Sequence, residues 1–333
     1  MVVPGSPLAT APSPSPSSRA GVSLIRCADV CTRPEKLAGA RVCYHTMTDR
    51  IAKLLWDKPP KNVLLVKKWR DSSAASFAFG IATWLLKEHD ARVWMTADET
   101  DVLPSGVELF AAQYADDVDV IVTIGGDGTV LYTSSLFQGP CPPLLSVAFG
   151  SLGFLTAVEP AHARAAISAL LLGHEEPVEF APRSRIRVTI QRAGSDVPET
   201  VMFGLNELVV DRGSSPYMTA LDAFLDDEYL TVVQADGVLV ATPTGSTAYS
   251  LSAGGSILFP TVPALLLTPI CPHSLSFRPI MFPDSSTLKL VVPTSARGGW
   301  KIGVMKLLGL NPVTTACAKR TGAAASMACV RQR

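Results

Sequence analysis

A chain of 333 residues is long enough for about two ordinary domains, and its 47% hydrophobic content excludes wholesale disorder. The 29 basic and 29 acidic side chains cancel to zero formal charge. Without a basic run the chain is not built for a phosphate backbone, and no apolar stretch approaches the roughly 18 residues of a membrane span.

Residues 1–20 are rich in Pro, Ser and Ala and lack apolar periodicity, which predicts disorder. No acid precedes Asp29, while Arg19 and Arg26 are basic, a composition loosely like an organelle transit peptide. A plain disordered extension is the simpler reading. From Lys61 onward, strands and helices alternate. Residues 62–67 (NVLLVK) read as a buried strand, Asp71 caps a helix running to about Glu88, and residues 92–95 form another short strand. Residues 118–124 (VDVIVTI) are a β-branched strand ended by glycines, followed by a helix over 129–137 and a buried strand over 144–149. Pro160 opens a further helix that Gly173 closes. Such alternation implies a mainly parallel sheet.

The period then changes. Residues 184–192 (SRIRVTIQR) alternate strictly, and 201–210, 220–225 and 230–242 are further strand-like runs separated by polar turns. An antiparallel, β-rich second domain is expected from about residue 180.

Three segments carry chemistry. Gly125-Gly126-Asp127-Gly128-Thr129 joins a buried strand to a helix, so uncovered backbone amides at the helix start can meet a phosphate. A carboxylate there repels a phosphate unless it holds a metal-bound phosphate or takes a proton from an attacking hydroxyl. Alternatively, Asp127 is only the N-cap of a tight turn. Asn206-Glu207 interrupts the apolar run FGLNELVV. These two side chains either bind a purine edge, a carboxamide or sugar hydroxyls, or mark a strand end facing water. Asp236-Gly237, then Thr242-Pro243-Thr244-Gly245-Ser246-Thr247-Ala248-Tyr249, crowd hydroxyls onto a turn suited to a polar ligand, or simply cap a helix. His273 reads as a hydrogen-bonded core residue in preference to a catalytic one, and Arg278 as a phosphate contact or a carboxylate partner. The strand exit Gly150–Phe154 (GSLGF) reads as a cleft lining or a turn.

The seven cysteines, Cys27, Cys31, Cys43, Cys141, Cys271, Cys317 and Cys329, are scattered and odd in number, which fits a reducing compartment. Cys27, Cys31, Cys43 and His45 have poor zinc spacing and read as ordinary thiols, so no protein-held metal is expected.

In order along the chain, IGGDGTVLY, GSLGFLT, LNELVVDRG, QADGVLVATPTGSTAY and TPICPHSLSFRPI resemble the NAD kinase family, over about residues 56–300. The SSLFQG and VKKWRD stretches are most like eukaryotic cytosolic forms. The resemblance implies an α/β, Rossmann-like N-terminal domain (56–175) and a β-rich C-terminal domain (176–300), with the active site in the cleft between them. Residues 1–55 would be a variable extension. It implies transfer of the ATP γ-phosphoryl group to the 2′-hydroxyl of the adenosine ribose of NAD, giving NADP, with Mg²⁺ neutralising the phosphates. Asp127 would be the base, and Gly125, Gly126, Gly128 and Thr129 would cradle ATP phosphates. Asn206 and Glu207 would bind the adenine and ribose of NAD. Asp236 would hold the nicotinamide carboxamide or a ribose, and Thr244, Thr247, Ala248 and Tyr249 would line the dinucleotide pocket. A cytoplasmic homo-oligomer binding neither nucleic acid nor membrane is expected, with organellar import through the extension left open.

After Trp300 the family pattern stops, and residues 301–333 read as a divergent tail outside the family fold. From residue 285 onward there are eight Lys or Arg and no acid, so the first 284 residues hold 21 basic and 29 acidic side chains. Because of that tail, an impaired NAD(P)-binding or regulatory relative is an alternative. A lipid kinase sharing the GGDGT loop is a weaker one, since it leaves LNELVV and TPTGSTAY unexplained.

Overall fold

The computed structural model describes residues 40–44, 52–98, 101–150, 153–172, 177–192, 200–293 and 302–319. Residues 1–20, Cys27, Cys31, His45 and Gly173 lie outside these.

The chain begins with the antiparallel pair β1 (Ala40–Tyr44) and β2 (Ala52–Trp56). The α/β unit follows, with β3 (Asn62–Lys67), α1 (Ser72–Glu88), β4 (Arg92–Met95), β5 (Val107–Leu109), β6 (Val120–Gly125), α2 (Asp127–Leu136), β7 (Leu144–Ala148) and α3 (Ala163–Leu171). The bounds of β3, α1 and β4 match those expected from sequence. Asp71 caps α1 as its carboxylate accepts from the Ala74 amide at 2.9 Å, and a 3-10 turn over Pro160–His162 leads into α3.

The five strands lie in the order β5-β4-β3-β6-β7, all parallel. The chain steps outward from β3 to β4 and β5, then returns to place β6 on the other side of β3. This reversal opens a crevice at the carboxyl ends of β3 and β6, the usual ligand position in such sheets. One face of the sheet packs against α1 and α3 through residues such as Val63, Ala78, Leu85, Val122 and Ile167. The other face packs against α2 through Leu64, Ile121, Val130 and Phe137.

The second sheet is antiparallel and has 11 strands. It comprises β1, β2, β8 (Val178–Arg192), β9 (Thr200–Gly204), β10 (Glu207–Asp211), β11 (Thr219–Leu225), β12 (Glu228–Ala241), β13 (Ala264–Pro272), β14 (Ile280–Pro283), β15 (Thr287–Val291) and β16 (Ile302–Lys319). The short helix α4 (Tyr249–Ser252) lies between β12 and β13. Two features depart from the sequence reading. First, β2 is a strand of this second sheet, pairing with β8, while Trp56 buries its indole against α3 and donates to the Leu170 carbonyl at 3.0 Å. Second, β16 pairs with both β15 and β8, so residues 302–319 form part of the sheet.

Residues 201–210, which read as one strand, are broken. β9 pairs with β8, β10 pairs with β12, and Leu205-Asn206 forms the bend between them. Burial explains the break. Leu205 turns away from its own sheet and is buried with Val130, Phe137 and Leu155 of the α/β unit. Nearby, the Arg185 guanidinium on β8 donates to the carbonyls of Phe137 (2.6 Å) and Gly139, and the Phe203 amide donates to Gln138 Oε1 at 2.9 Å. Apolar and polar contacts thus hold the two units together on the α2 side.

Candidate active site

The GGDGT segment begins where β6 ends, at the crevice. Gly126 is the N-cap of α2 and Asp127 is its first residue, so the N-cap reading of Asp127 is corrected. The glycines differ in what they permit. A β-carbon on Gly125 would stand 2.1 Å from Thr129 Oγ1, so the helix can fold back onto the strand only because that atom is absent. At Gly126 and Gly128 a β-carbon would meet nothing within 4 Å. These two leave open space over the Asp127 and Gly128 amides, the first of α2, while the Thr129 amide already bonds the Gly126 carbonyl at 2.9 Å. An anion fits there, drawn by the positive end of the helix.

Asp127 does not stand alone. Its Oδ2 accepts from the Phe154 amide at 2.9 Å and its Oδ1 from the Leu155 amide at 2.8 Å. Phe154, at the end of the GSLGF segment, and Leu155 after it therefore lie against the start of α2, while Ser151 and Leu152 lie outside the described residues. The charged ends of β3 flank the crevice. Lys67 is buried and its ammonium lies 2.9 Å from Asp98 and 2.8 Å from Asp101, while the Lys68 amide donates to the Ile124 carbonyl at 2.8 Å. Asp98 also accepts from the Arg70 amide at 3.1 Å, fixing the turn after β3.

The bend at Leu205-Asn206 is pinned to the end of β12. Thr242 donates its amide to the Asn206 carbonyl at 2.8 Å and its hydroxyl to the Leu205 carbonyl at 2.6 Å, and that hydroxyl accepts from the Gly245 amide at 3.1 Å. Two buried side-chain atoms beside this knot have no partner, Asn206 Oδ1 and Glu207 Oε2. Burial pushes the Glu207 carboxyl above its ordinary value. Buried polar atoms are ordinarily satisfied, and here two adjacent residues each keep one oxygen without a partner.

The hydroxyl-rich turn is only partly available. Thr244 is buried, Thr247 donates to the Thr244 carbonyl at 3.2 Å, and Ser246 is enclosed, bonding Pro243 and Leu258. Ala248 is the N-cap of α4, and Tyr249, its first residue, is exposed. Asp236 lies on β12 about 20 Å along the strand from Thr242, six residues at roughly 3.3 Å each. It is held by Arg212, whose Nε donates to its carboxylate at 2.9 Å and whose amide donates to its carbonyl at 3.0 Å. A ligand reaching both Asn206 and Asp236 is therefore elongated.

Leu205 carries the tertiary link. Buried with Val130 and Leu155, it places the Asn206-Glu207 bend beside both α2 and the loop that holds Asp127. His273 is exposed, its amide bonding the Gln234 carbonyl, and Arg278 is exposed and donates to the Leu275 and Phe277 carbonyls, which corrects the core and carboxylate readings. Thr242 belongs to the hydroxyl-rich turn read from sequence, whereas Arg212 and the Lys67–Asp98–Asp101 group were not singled out. Their only signal was charge next to a motif.

No helix among the described residues is long and apolar enough to cross a membrane. A family model for the ATP-NAD kinase N-terminal domain matches residues 46–175, and one for the ATP-NAD kinase C-terminal domain matches residues 205–302. The chain is 41% identical over 277 residues to a probable NAD kinase 2, chloroplastic, of Oryza sativa subsp. japonica. That alignment covers 80% of this chain but 28% of the rice protein, so the chain spans little more than a quarter of that relative. The crystal structure of yeast NADH kinase complexed with NADH superposes with a TM-score of 0.73 at 32% identity, covering 84% of this chain and 89% of that one. An NAD kinase from Archaeoglobus fulgidus in complex with ATP shares the fold, with a TM-score of 0.58 at 22% identity, over 78% of this chain and 94% of that one. With both domain models matched in order and most of the yeast enzyme's length covered, the chain belongs to the NAD kinase family.

Proposed function

We propose that this protein is an ATP-dependent NAD kinase. It moves the γ-phosphoryl group of ATP to the 2′-hydroxyl of the adenosine ribose of NAD. The observation that carries this reading is the unpartnered pair Asn206 Oδ1 and Glu207 Oε2, brought by Leu205 to the helix that bears Asp127. Asn206 offers an amide to the adenine edge, and Glu207 accepts from ribose hydroxyls. Both then regain the hydrogen bonds that burial denies them. Thr244, Thr247, Ala248 and Tyr249 line the same pocket, and Asp236 takes the far end of the dinucleotide. The yeast relative complexed with NADH and the archaeal one in complex with ATP support the two substrate classes.

The donor phosphates sit over Gly126 and Gly128, with Gly125 and Thr129 shaping the turn beneath. Asp127 takes the proton from the 2′-hydroxyl as its oxygen bonds to the γ-phosphorus. The bond from that phosphorus to the β–γ bridging oxygen breaks, and ADP leaves with the electron pair. Such transfers depend mainly on alignment and charge neutralisation. Among the described residues no three metal-binding side chains converge. The open glycine cradle leaves room for the ATP phosphates, and a Mg²⁺ carried on those phosphates would supply neutralising charge.

The scattered cysteines suit a reducing compartment, the cytoplasm in the simplest case, and subcellular fractionation checks it. The open sheet suits a homo-oligomer, which light scattering measures. The central test incubates purified protein with Mg-ATP and NAD and reads NADP with a specific dehydrogenase. Sustained NADP formation is expected. NAD binding without turnover supports the impaired-binder reading instead, for which the end of the family match at residue 302 is the motive.

A further inference from the structure

We propose that residues 153–155 form a fixed holder that sets the orientation of the Asp127 carboxylate, with Gly153 as its positioning residue. This rests on the kinase reading of Asp127. An aspartate in the first turn of a helix is free to rotate about two side-chain bonds. Nothing on α2 holds it, because the N-cap is Gly126 and there is no capping bond from a side chain. The restraint comes from 27 and 28 residues further along the chain, where consecutive amides of Phe154 and Leu155 each donate to one carboxylate oxygen. Two donors on two oxygens fix both the position and the plane of the group.

Gly153 makes this approach possible. A β-carbon there would lie 2.1 Å from Asp127 Oδ1, 2.6 Å from Cγ and 2.9 Å from Oδ2. Every side chain larger than hydrogen collides with the carboxylate itself, so close approach is what glycine permits here.

The holder is in turn tied to the sheet. The Gly153 amide donates to Thr156 Oγ1 at 3.0 Å. Ser146 of β7 donates its hydroxyl to the Leu155 carbonyl and accepts from the Ala157 amide at 3.3 Å. The Ala148 amide donates to the Val158 carbonyl at 2.7 Å, and the Val158 amide to the Ser146 carbonyl at 3.1 Å. The Leu155 side chain is buried with Val130 and Leu205. The carboxylate is thereby referenced to β7, to α2 and to the Asn206 bend at once. A carboxylate has about four lone-pair positions. Two are occupied, and the others remain for the incoming hydroxyl. In-line transfer tolerates misplacement poorly, at about 100-fold in rate per ångström.

Two measurements test the holder. The first needs no turnover: hydrogen exchange at the Phe154 and Leu155 amides is compared between the unliganded protein and Asp127→Ala. Each amide loses a charge-assisted bond in the variant, so exchange at least about tenfold faster is expected. Unchanged exchange overturns the proposal. The second is steady-state kinetics of Gly153→Ala, Asp127→Asn and the double variant, each first shown to melt within a few degrees of the parent. Gly153→Ala is expected to lose about 100-fold in kcat, with KM for NAD and ATP within about twofold. The double variant is expected to be no slower than Asp127→Asn alone, because Gly153 acts through that carboxylate. Near-parental kcat in Gly153→Ala, a loss expressed in KM, or additive losses in the double variant each overturn it. If the parent chain makes no NADP at all, the kinase reading fails, and the exchange measurement decides the holder by itself.

Discussion

Gly245 lies against the backbone of Asn206, so close that a β-carbon added to it would stand 2.2 Å from the Asn206 carbonyl oxygen and 2.7 Å from its α-carbon. Both residues are pinned by Thr242, and the contact keeps the Asn206-Glu207 bend pressed onto the end of β12. Gly245→Ala must push the bend away or break the knot. Backbone atoms cannot yield as a flexible side chain does, so NAD affinity is expected to fall at least about tenfold, with stability lowered by about 1–3 kcal/mol. Isothermal titration with NAD and urea denaturation of the same variant measure the two effects.

Asp127→Asn keeps the size and the backbone of α2 and removes the proton acceptor. Turnover is expected to fall by about 100-fold to 10,000-fold, the range for loss of a positioned base. NAD binding should persist, because Asn206 and Glu207 are untouched. Near-normal NADP formation by this variant contradicts the role given to Asp127.

Glu207 trades stability for binding. Burial raises its carboxyl above 4.5 in the folded chain, so the ionised form costs stability at neutral pH. That cost shrinks as pH falls through the raised value and is gone only below 4.5, where the carboxyl is protonated in both folded and unfolded chains. Glu207→Gln is therefore expected to melt higher than the parent at neutral pH, with the difference closing at acid pH. NAD binding should move the opposite way. It should be weaker in the variant, and in the parent it should fall as pH drops through the raised value.

Lys67 is the charge beneath the crevice. Burial pulls its ammonium down, but hydrogen bonds to Asp101 and Asp98 outweigh this and hold it above 10.5. Its contribution is thus fully present below 10.5 and lost as pH rises through the folded value. Lys67→Met leaves two buried carboxylates facing each other and is expected to cost about 3–5 kcal/mol near neutral pH. Adding Asp98→Asn and Asp101→Asn to that variant should recover much of the loss in a denaturation series.

Arg185 joins the two units through the Phe137 and Gly139 carbonyls. Its burial pulls the guanidinium below its ordinary value, yet it remains the charged donor of two bonds. Arg185→Ala strands both carbonyls, and a loss of about 3 kcal/mol is expected from bonds of this kind. The same variant should lose kcat/KM, because the joint that carries Leu205 beside α2 is loosened. Denaturation and steady-state kinetics on one preparation separate the two.

The local elements were readable because their causes are local. Short continuous apolar runs rich in β-branched residues mark β3, β4 and β6, and Asp71 caps α1 from the adjacent position. The missed break at Leu205-Asn206 shows the limit of that logic. FGLNELVV has a strand's composition throughout, and nothing near it in sequence announces that Leu205 is buried with residues of the other unit. His273 erred in the same way, since apolar neighbours in sequence did not bury it.

The sequence by itself determined which side chains are available for chemistry and the short-range geometry around them: a carboxylate at a helix start among glycines, an amide and a carboxylate adjacent in an apolar run, and hydroxyls on a turn. Tertiary structure alone decided what each one faces. Asp127 is oriented by amides 27 and 28 residues away, Gly245 presses on Asn206 from 39 residues away, and Glu207 keeps an unpartnered oxygen because packing excludes water there. The physical reason is range. Torsional preference and capping act over a few neighbouring residues, whereas desolvation and close approach depend on which distant segments the core brings together.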